Sequence, residues 1–165
     1  ELICRMGGSL TEYDLEKKAQ EWKNCTVRAD CRGRKNAVLF AETAPYPGFP
    51  TDLQSQLMAV MASCCGSICH IRENVFENRF MIAPQLKKMG ADIRMNENEA
   101  HIYGVPVLHG TELCAQELRG GAALILAGMS AEGVSRIIPD DYIKRGYENI
   151  CKDLKELGAD VSWEA

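Results

Sequence analysis

Several function classes are removed by what this 165-residue sequence does not contain. Positive charge is not in excess: 19 Lys and Arg face 23 Asp and Glu, a formal net charge of −4. A broad electrostatic grip on nucleic acid needs clustered Lys and Arg, so no nucleic-acid partner is expected. No apolar run reaches the ~18 residues of a membrane span, and the longest candidate, Gly120 to Met129, is too short, so no membrane partner is expected either. Histidine is scarce. His70, His101 and His109 have no ligand spacing, so no metal is expected. There is no GxSxG, no P-loop and no GxGxxG after a strand, which removes the common nucleophile and nucleotide fingerprints. Glu1 to Leu10 lacks the basic start and long apolar core of a secretion signal. The first residue is not Met, and Glu1 to Gly8 reads as the end of a helix. The expectation is therefore an excised piece of a longer protein, with part of any active site elsewhere.

What remains is ordinary globular material. Hydrophobic residues make up 46% and charged residues 25%. That excludes disorder for most of the chain and suits a single domain. The eight cysteines are Cys4, Cys25, Cys31, Cys64, Cys65, Cys69, Cys114 and Cys151. A chain able to build a core does not need a disulfide framework. Several of these cysteines sit in apolar helical patterns, so reduced, buried thiols are expected. Cys64, Cys65 and Cys69 lack the paired spacing of a zinc site.

One pattern occurs three times: Leu2 to Leu10, Leu86 to Ile93 and Leu154 to Val161. Each reads as the last turn of an amphipathic helix, a glycine stop (Gly7, Gly90, Gly158) and an alternating strand. The spacing is too long and irregular for a solenoid. It predicts a domain built from copies of a larger α/β unit, the first copy cut at residue 1. Residues 1–165 are thus read as one partial domain.

Between these marks, strands are predicted at Ser9 to Glu16, Thr26 to Cys31, Ala37 to Thr43, Ser67 to Arg72, Ala91 to Asn96, His101 to Tyr103, Val134 to Ile138 and after Gly158. Ala44 to Pro50 is a loop stiffened by three prolines. Leu53, Leu57, Val60, Met61 and Cys64 predict a helix over Thr51 to Cys65. Thr51 and Gln54 form a capping-box pattern that makes Thr51 its N-cap. Asn74 and Glu77 repeat the pattern and predict a helix that restarts at Pro84 and stops at Gly90. Further helices are predicted over Leu118 to Ala131 and Lys144 to Leu157.

Asp52 follows the stiff loop in the first helical turn. The helix dipole alone explains a carboxylate there. A general base held against a substrate hydroxyl explains it as well. Arg79, Arg119 and Arg145 each fall near a predicted helix N-terminus, where a cation is disfavoured by a few tenths of a kcal/mol. Singly they read as solvated or ion-paired side chains. Together they favour an anionic ligand, because helix N-terminal N–H groups bind phosphate and arginine adds a bidentate contact. Gly120 and Gly121 would let such a ligand approach the backbone.

Four strings carry a resemblance: Thr43-Ala-Pro-Tyr-Pro-Gly-Phe-Pro-Thr-Asp-Leu-Gln54, Glu73-Asn-Val-Phe-Glu-Asn-Arg-Phe80, Leu118-Arg-Gly-Gly-Ala-Ala-Leu-Ile-Leu-Ala-Gly128 and Lys144-Arg-Gly-Tyr-Glu148. In this order they resemble the UDP-N-acetylglucosamine 1-carboxyvinyltransferases, which belong to the enolpyruvyl transferases. The resemblance spans Thr43 to about Ala159 and more loosely reaches Glu1. It implies the C-terminal part of one of two similar domains, each an α/β (α+β) inside-out barrel of repeated βαβαββ units with helices inside. It implies transfer of enolpyruvyl from phosphoenolpyruvate to the 3'-hydroxyl of UDP-N-acetylglucosamine in the bacterial cytoplasm, for peptidoglycan synthesis, with no cofactor.

By position, Asp52 resembles the carboxylate at the attacking sugar hydroxyl. Val75 and Phe76 match the segment contacting the nucleotide sugar. Arg79, Arg119 and Arg145 match arginines around phosphoenolpyruvate, with Gly120 beside them in the binding set and Asp52, Arg119 and Arg145 in the catalytic one. Glu117 stands where the family usually has Asp. The family's catalytic Cys loop and N-terminal Lys have no counterpart here, and none of the eight cysteines matches that loop. The isolated chain, lacking the missing second domain, is therefore expected to be inactive. The alternatives are a shikimate-pathway relative, or a non-catalytic anion-binding or structural module derived from such a domain.

Overall fold

The computed structural model describes residues 9–13, 26–30, 38–64, 66–139 and 141–164. Residues 2–8 of the first copy of the repeated pattern, with its Gly7 stop, and Cys4, Cys25, Cys31 and Cys65 lie outside them. Strands β1 (Ser9–Tyr13) and β2 (Thr26–Asp30) pair antiparallel, Ser9 opposite Asp30 and Tyr13 opposite Thr26.

The central sheet has the order β3-β4-β6-β5. Strands β3 (Val38–Glu42) and β4 (Ile68–Arg72) run parallel, joined by a crossover through helix α1 (Gln54–Ala62). Strands β5 (Asp92–Asn96) and β6 (Glu99–Tyr103) form a hairpin whose β6 pairs antiparallel with β4. Period-two alternation sends Leu39, Ala41, Cys69, Ile71, Ile93, Ala100 and Ile102 to one buried face. The other face carries polar groups. There the Arg72 guanidinium bonds Glu99 and holds its carboxyl below the usual range.

Helix α1 buries Leu57, Met58, Ala59, Met61 and Ala62 together with Gln54 and Ser55. A helix buried on nearly every side belongs in the middle of a domain. Its main helical neighbour is α3 (Leu118–Met129), whose Gly120, Gly121, Ala122 and Ala123 are buried. This is the expected helices-inside arrangement. Small residues permit the close packing: a Cβ on Gly121 would lie 2.8 Å from Ile143 Cγ1 of α4 (Asp141–Gly146). Helix α2 (Ala83–Lys88) adds Leu86 to the same core. A short parallel pair, β7 (Glu112–Cys114) and β8 (Arg136–Ile138), flanks it. The pair's β7 has no counterpart among the predicted strands.

The repeated glycine stop is borne out in its second and third copies. After α2, Gly90 has φ 95°, Gly90 N donates to Lys87 O and Ala91 N to Leu86 O. After α5 (Ile150–Glu156), Gly158 has φ 91°, Gly158 N donates to Lys155 O and Ala159 N to Leu154 O. Both are the same paired closure of a helix end, which requires a left-handed residue.

Four local expectations are corrected. Thr51 is not an N-cap. Thr51–Leu53 is a 3-10 turn without a side-chain cap, and the Thr51 hydroxyl is turned toward Glu73. No helix starts at Asn74. The Glu73 carboxylate accepts from Val75 N and Phe76 N, but the chain continues as turns over 77–82, with Asn78 at φ 54°, outside the helical region. The last helix is two, α4 and α5. They are separated at Tyr147 to Asn149, with the Asn149 side chain capping α5 at Lys152 N. No strand follows Gly158 among the described residues.

Among the described cysteines, Cys64 and Cys69 are buried. Burial pushes the Cys69 thiol up to about 12, helped by neighbouring Cys64.

Candidate active site

The Pro-rich loop is a closed structure in which Ala44 N donates to Phe49 O and Gly48 N to Pro45 O. It delivers Asp52 into the 3-10 turn with its side chain 59% exposed. Two guanidiniums meet it there. Arg79 Nη2 donates to Asp52 Oδ1 at 3.1 Å, and Arg119 Nε pairs with the same oxygen at 2.5 Å. The Asp52 Oδ2 has no side-chain partner among the described residues. Arg79 comes from the turns that replace the expected helix, with only 16% of its side chain exposed. Its guanidinium lies 5.1 Å from the centroid of the Phe76 ring, and its buried Nε has no hydrogen-bond partner among the described residues. Val75 and Phe76 are themselves exposed. Residues from three separate segments thus converge: Asp52 from the first, Val75, Phe76 and Arg79 from the second, Arg119 from the third.

The helix-end explanation for the arginines holds for one of them. Arg119 is in the first turn of α3, whereas Arg79 lies outside any helix. Arg145 is in the last turn of α4, where the dipole favours a cation, because the helix ends at Gly146. It makes no ion pair with Asp52 or the other described carboxylates. A Cβ on Gly146 would overlap Leu118, so the Arg145 backbone runs beside the start of α3.

The anion expected at that helix start is already present as part of the chain. Glu117 is the N-cap of α3, and its carboxylate accepts from Arg119 N at 3.1 Å and from Gly120 N. A Cβ on Gly120 would stand 2.9 Å from Glu117 Oε1 and 2.8 Å from Ile82 Cγ2. The missing side chain at Gly120 makes room for Glu117.

Glu73 received no role from the sequence, yet it is buried among these segments. It accepts from the Thr43 and Thr51 hydroxyls, both at 2.9 Å. The signal was available: continuing the alternation of β4 by one residue puts this acid at an inward position.

The EPSP synthase (3-phosphoshikimate 1-carboxyvinyltransferase) family model matches residues 3–154. The chain belongs to this family. A UDP-N-acetylglucosamine 1-carboxyvinyltransferase of Finegoldia magna is 50% identical over 136 residues, 82% of this chain and 32% of the relative. Its counterpart in Halorhodospira halophila is 44% identical over 162 residues, 98% of this chain and 37% of the relative. The chain spans about a third of the length of these curated relatives. The crystal structure of the enolpyruvyl transferase NikO from Streptomyces tendae superposes with a TM-score of 0.74 at 26% identity, covering 96% of this chain and 34% of that one. The α/β fold of the enolpyruvyl transferases, present as a part, follows from these matches. Family members named here are carboxyvinyl or enolpyruvyl transferases, so the class is a transferase one. No helix among the described residues is long and apolar enough to cross a membrane.

Proposed function

We propose that this family member contributes one wall of the active site of a cytoplasmic bacterial UDP-N-acetylglucosamine 1-carboxyvinyltransferase, acting in peptidoglycan precursor synthesis, and that the rest of the site comes from a second domain. The observation that carries the reading is the meeting of Asp52, Arg79 and Arg119 beside exposed Val75 and Phe76. Adding a sugar hydroxyl to an enol phosphate needs a base at the hydroxyl, an acid at the methylene carbon and cations at the phosphate that leaves. Asp52 is the base, with Oδ2 turned to no competing side chain among the described residues. Arg79 and Arg119, already gathered at Asp52, supply the cations. Val75 and Phe76 contact the nucleotide sugar, whereas Gly120, its N–H already taken by Glu117, lends that carboxylate its space. Arg145, exposed at the end of α4, joins the phosphoenolpyruvate site when the facing domain closes.

The test is phosphate release from phosphoenolpyruvate with UDP-N-acetylglucosamine. A two-domain protein containing these residues is expected to release phosphate, and the 165-residue chain alone is expected to release none. Release with shikimate 3-phosphate in place of the sugar nucleotide would transfer the assignment to the shikimate-pathway reaction. No release with either would leave an anion-binding module.

A further inference from the structure

One buried side chain joins two segments that the proposed reaction keeps in register. Glu73 is 3% exposed and ends the inward row of β4. Its Oε1 accepts from Thr43 Oγ1 at 2.9 Å, Val75 N at 2.9 Å and Phe76 N at 3.0 Å. Its Oε2 accepts from Thr51 Oγ1 at 2.9 Å. The Glu73 backbone is fixed as well, its N–H donating to Asn98 O and its carbonyl accepting from Asn98 Nδ2. Thr43 Oγ1 accepts in turn from Asn74 N at 2.9 Å. A carboxylate taken out of water is expensive unless hydrogen-bonded, and here four donors meet it.

Those donors are not a random set. Thr51 immediately precedes Asp52. Val75 and Phe76 are the backbone assigned to the sugar. We propose that Glu73 is a positioning residue. Through Thr51 it fixes the turn that aims Asp52. Through the Val75 and Phe76 amides it fixes the sugar-contacting backbone. One carboxylate thereby sets the distance between base and sugar subsite. The inference rests on the roles proposed above for Asp52, Val75 and Phe76.

The two arms are separable, because each uses a different oxygen of Glu73. Thr51→Val is close in shape and removes only the Oε2 arm, while Thr51→Ser keeps the hydroxyl. In the two-domain protein, Thr51→Val is expected to lower kcat about tenfold or more, since small misplacements of a reacting group cost that much. KM for either substrate should stay within about twofold, the pattern of an interaction lost only in the transition state. Thr51→Ser should restore kcat. Glu73→Ala should in addition raise KM for UDP-N-acetylglucosamine. If Glu73→Ala fails to fold, the Thr51 pair carries the test. A Thr51→Val protein with unchanged kcat overturns the proposal, including one that melts lower but turns over normally.

A second readout does not need activity. Leu53 N donates to Pro50 O across the turn, so hydrogen exchange at Leu53 reports its order. Thr51→Val should speed that exchange at least tenfold and Thr51→Ser should not, on the usual link between local opening and exchange. Exchange unaltered by Thr51→Val overturns the positioning role. A wild-type protein that releases no phosphate, but shows the expected exchange pattern, would sink the assigned reaction while leaving the Glu73 splint intact.

Discussion

Replacing Glu117 by Ala removes the side chain that caps α3. Two backbone donors, Arg119 N and Gly120 N, lose their acceptor. Loss of an N-cap costs about 0.5–2 kcal/mol. Loss of a negative charge at a helix start adds about 0.3–1 kcal/mol. The combined cost is about 2 kcal/mol, which for a chain of this size lowers Tm by about 4–8 °C. Glu117→Gln keeps an acceptor and should lose about half as much. Glu117→Asp should hold the cap, since Asp is a preferred N-cap residue and one methylene shorter. The freed N–H groups of the Ala variant also form an opening for an external anion. Scanning calorimetry in chloride and in sulfate, at matched ionic strength, reads both effects. Sulfate should raise the Tm of Glu117→Ala more than that of the parent chain. An Ala variant melting within about 1 °C of the parent would refute the capping argument, since a lost cap should move Tm several-fold further. Equal sulfate responses would refute the claim that Glu117 occupies an anion position.

Other perturbations test other parts of the structure. In the two-domain protein, Asp52→Ala should lower kcat about 10²-fold or more with little change in KM, as for a lost general base, and steady-state kinetics will show it. A normal kcat with a lower Tm would return Asp52 to a helix-start role. Gly104→Ala puts a Cβ 1.8 Å from Cys64 O, so urea titration should show a loss of about 3 kcal/mol, the upper part of the overpacking range. Gly158→Ala meets nothing within 4 Å and should cost only the left-handed strain of about 1 kcal/mol. The Cys69 thiol, held at about 12 by burial, should resist a thiol reagent at pH 8 until the chain unfolds. Its raised value also sets a sign. The folded state keeps the thiol neutral from pH 9, where the unfolded thiol ionises, up to about 12, so stability is lost as pH rises through that window. Urea midpoints should fall more steeply above pH 9 for the parent than for Cys69→Ala.

The features legible in the sequence are those decided by neighbours along the chain. Gly90 and Gly158 announce themselves because a left-handed helix end strongly favours glycine. Helix α1 is legible because Leu53, Leu57, Val60, Met61 and Cys64 fall at helical spacing, although burial on the other sides, at Met58 and Ala59, is not. The string around Asp52 marks that segment in the sequence, but the ion pairs that Asp52 makes with Arg79 and Arg119 are not legible there. Thr51 looked like a cap because its hydroxyl partner lies 22 residues away at Glu73. The helix expected at Asn74 fails at Asn78, whose backbone turns left-handed at φ 54°, a change that the capping pattern does not announce. Arg145 changed ends because two short helices replace one, and nothing in the 3.6-residue period between Lys144 and Leu157 requires the break at Gly146. Glu117 escaped notice as a cap because Glu is not among the preferred capping residues.

The burial of α1 on nearly every side bears on how the chain comes to fold. Its residues, Gln54–Ala62, find their helical partner in Leu118–Met129, more than fifty residues later. Until α3 exists, the apolar surface around Met58 and Met61 lacks its main helical cover. Closing so long a loop carries an entropic charge before any contact repays it. Folding should therefore be all-or-none across this span, without a stable early subdomain made of β3, α1 and β4. During synthesis the nascent chain would hold these methionines exposed until α3 leaves the ribosome, and a chain stopped before Leu118 would be a substrate for chaperones or proteases.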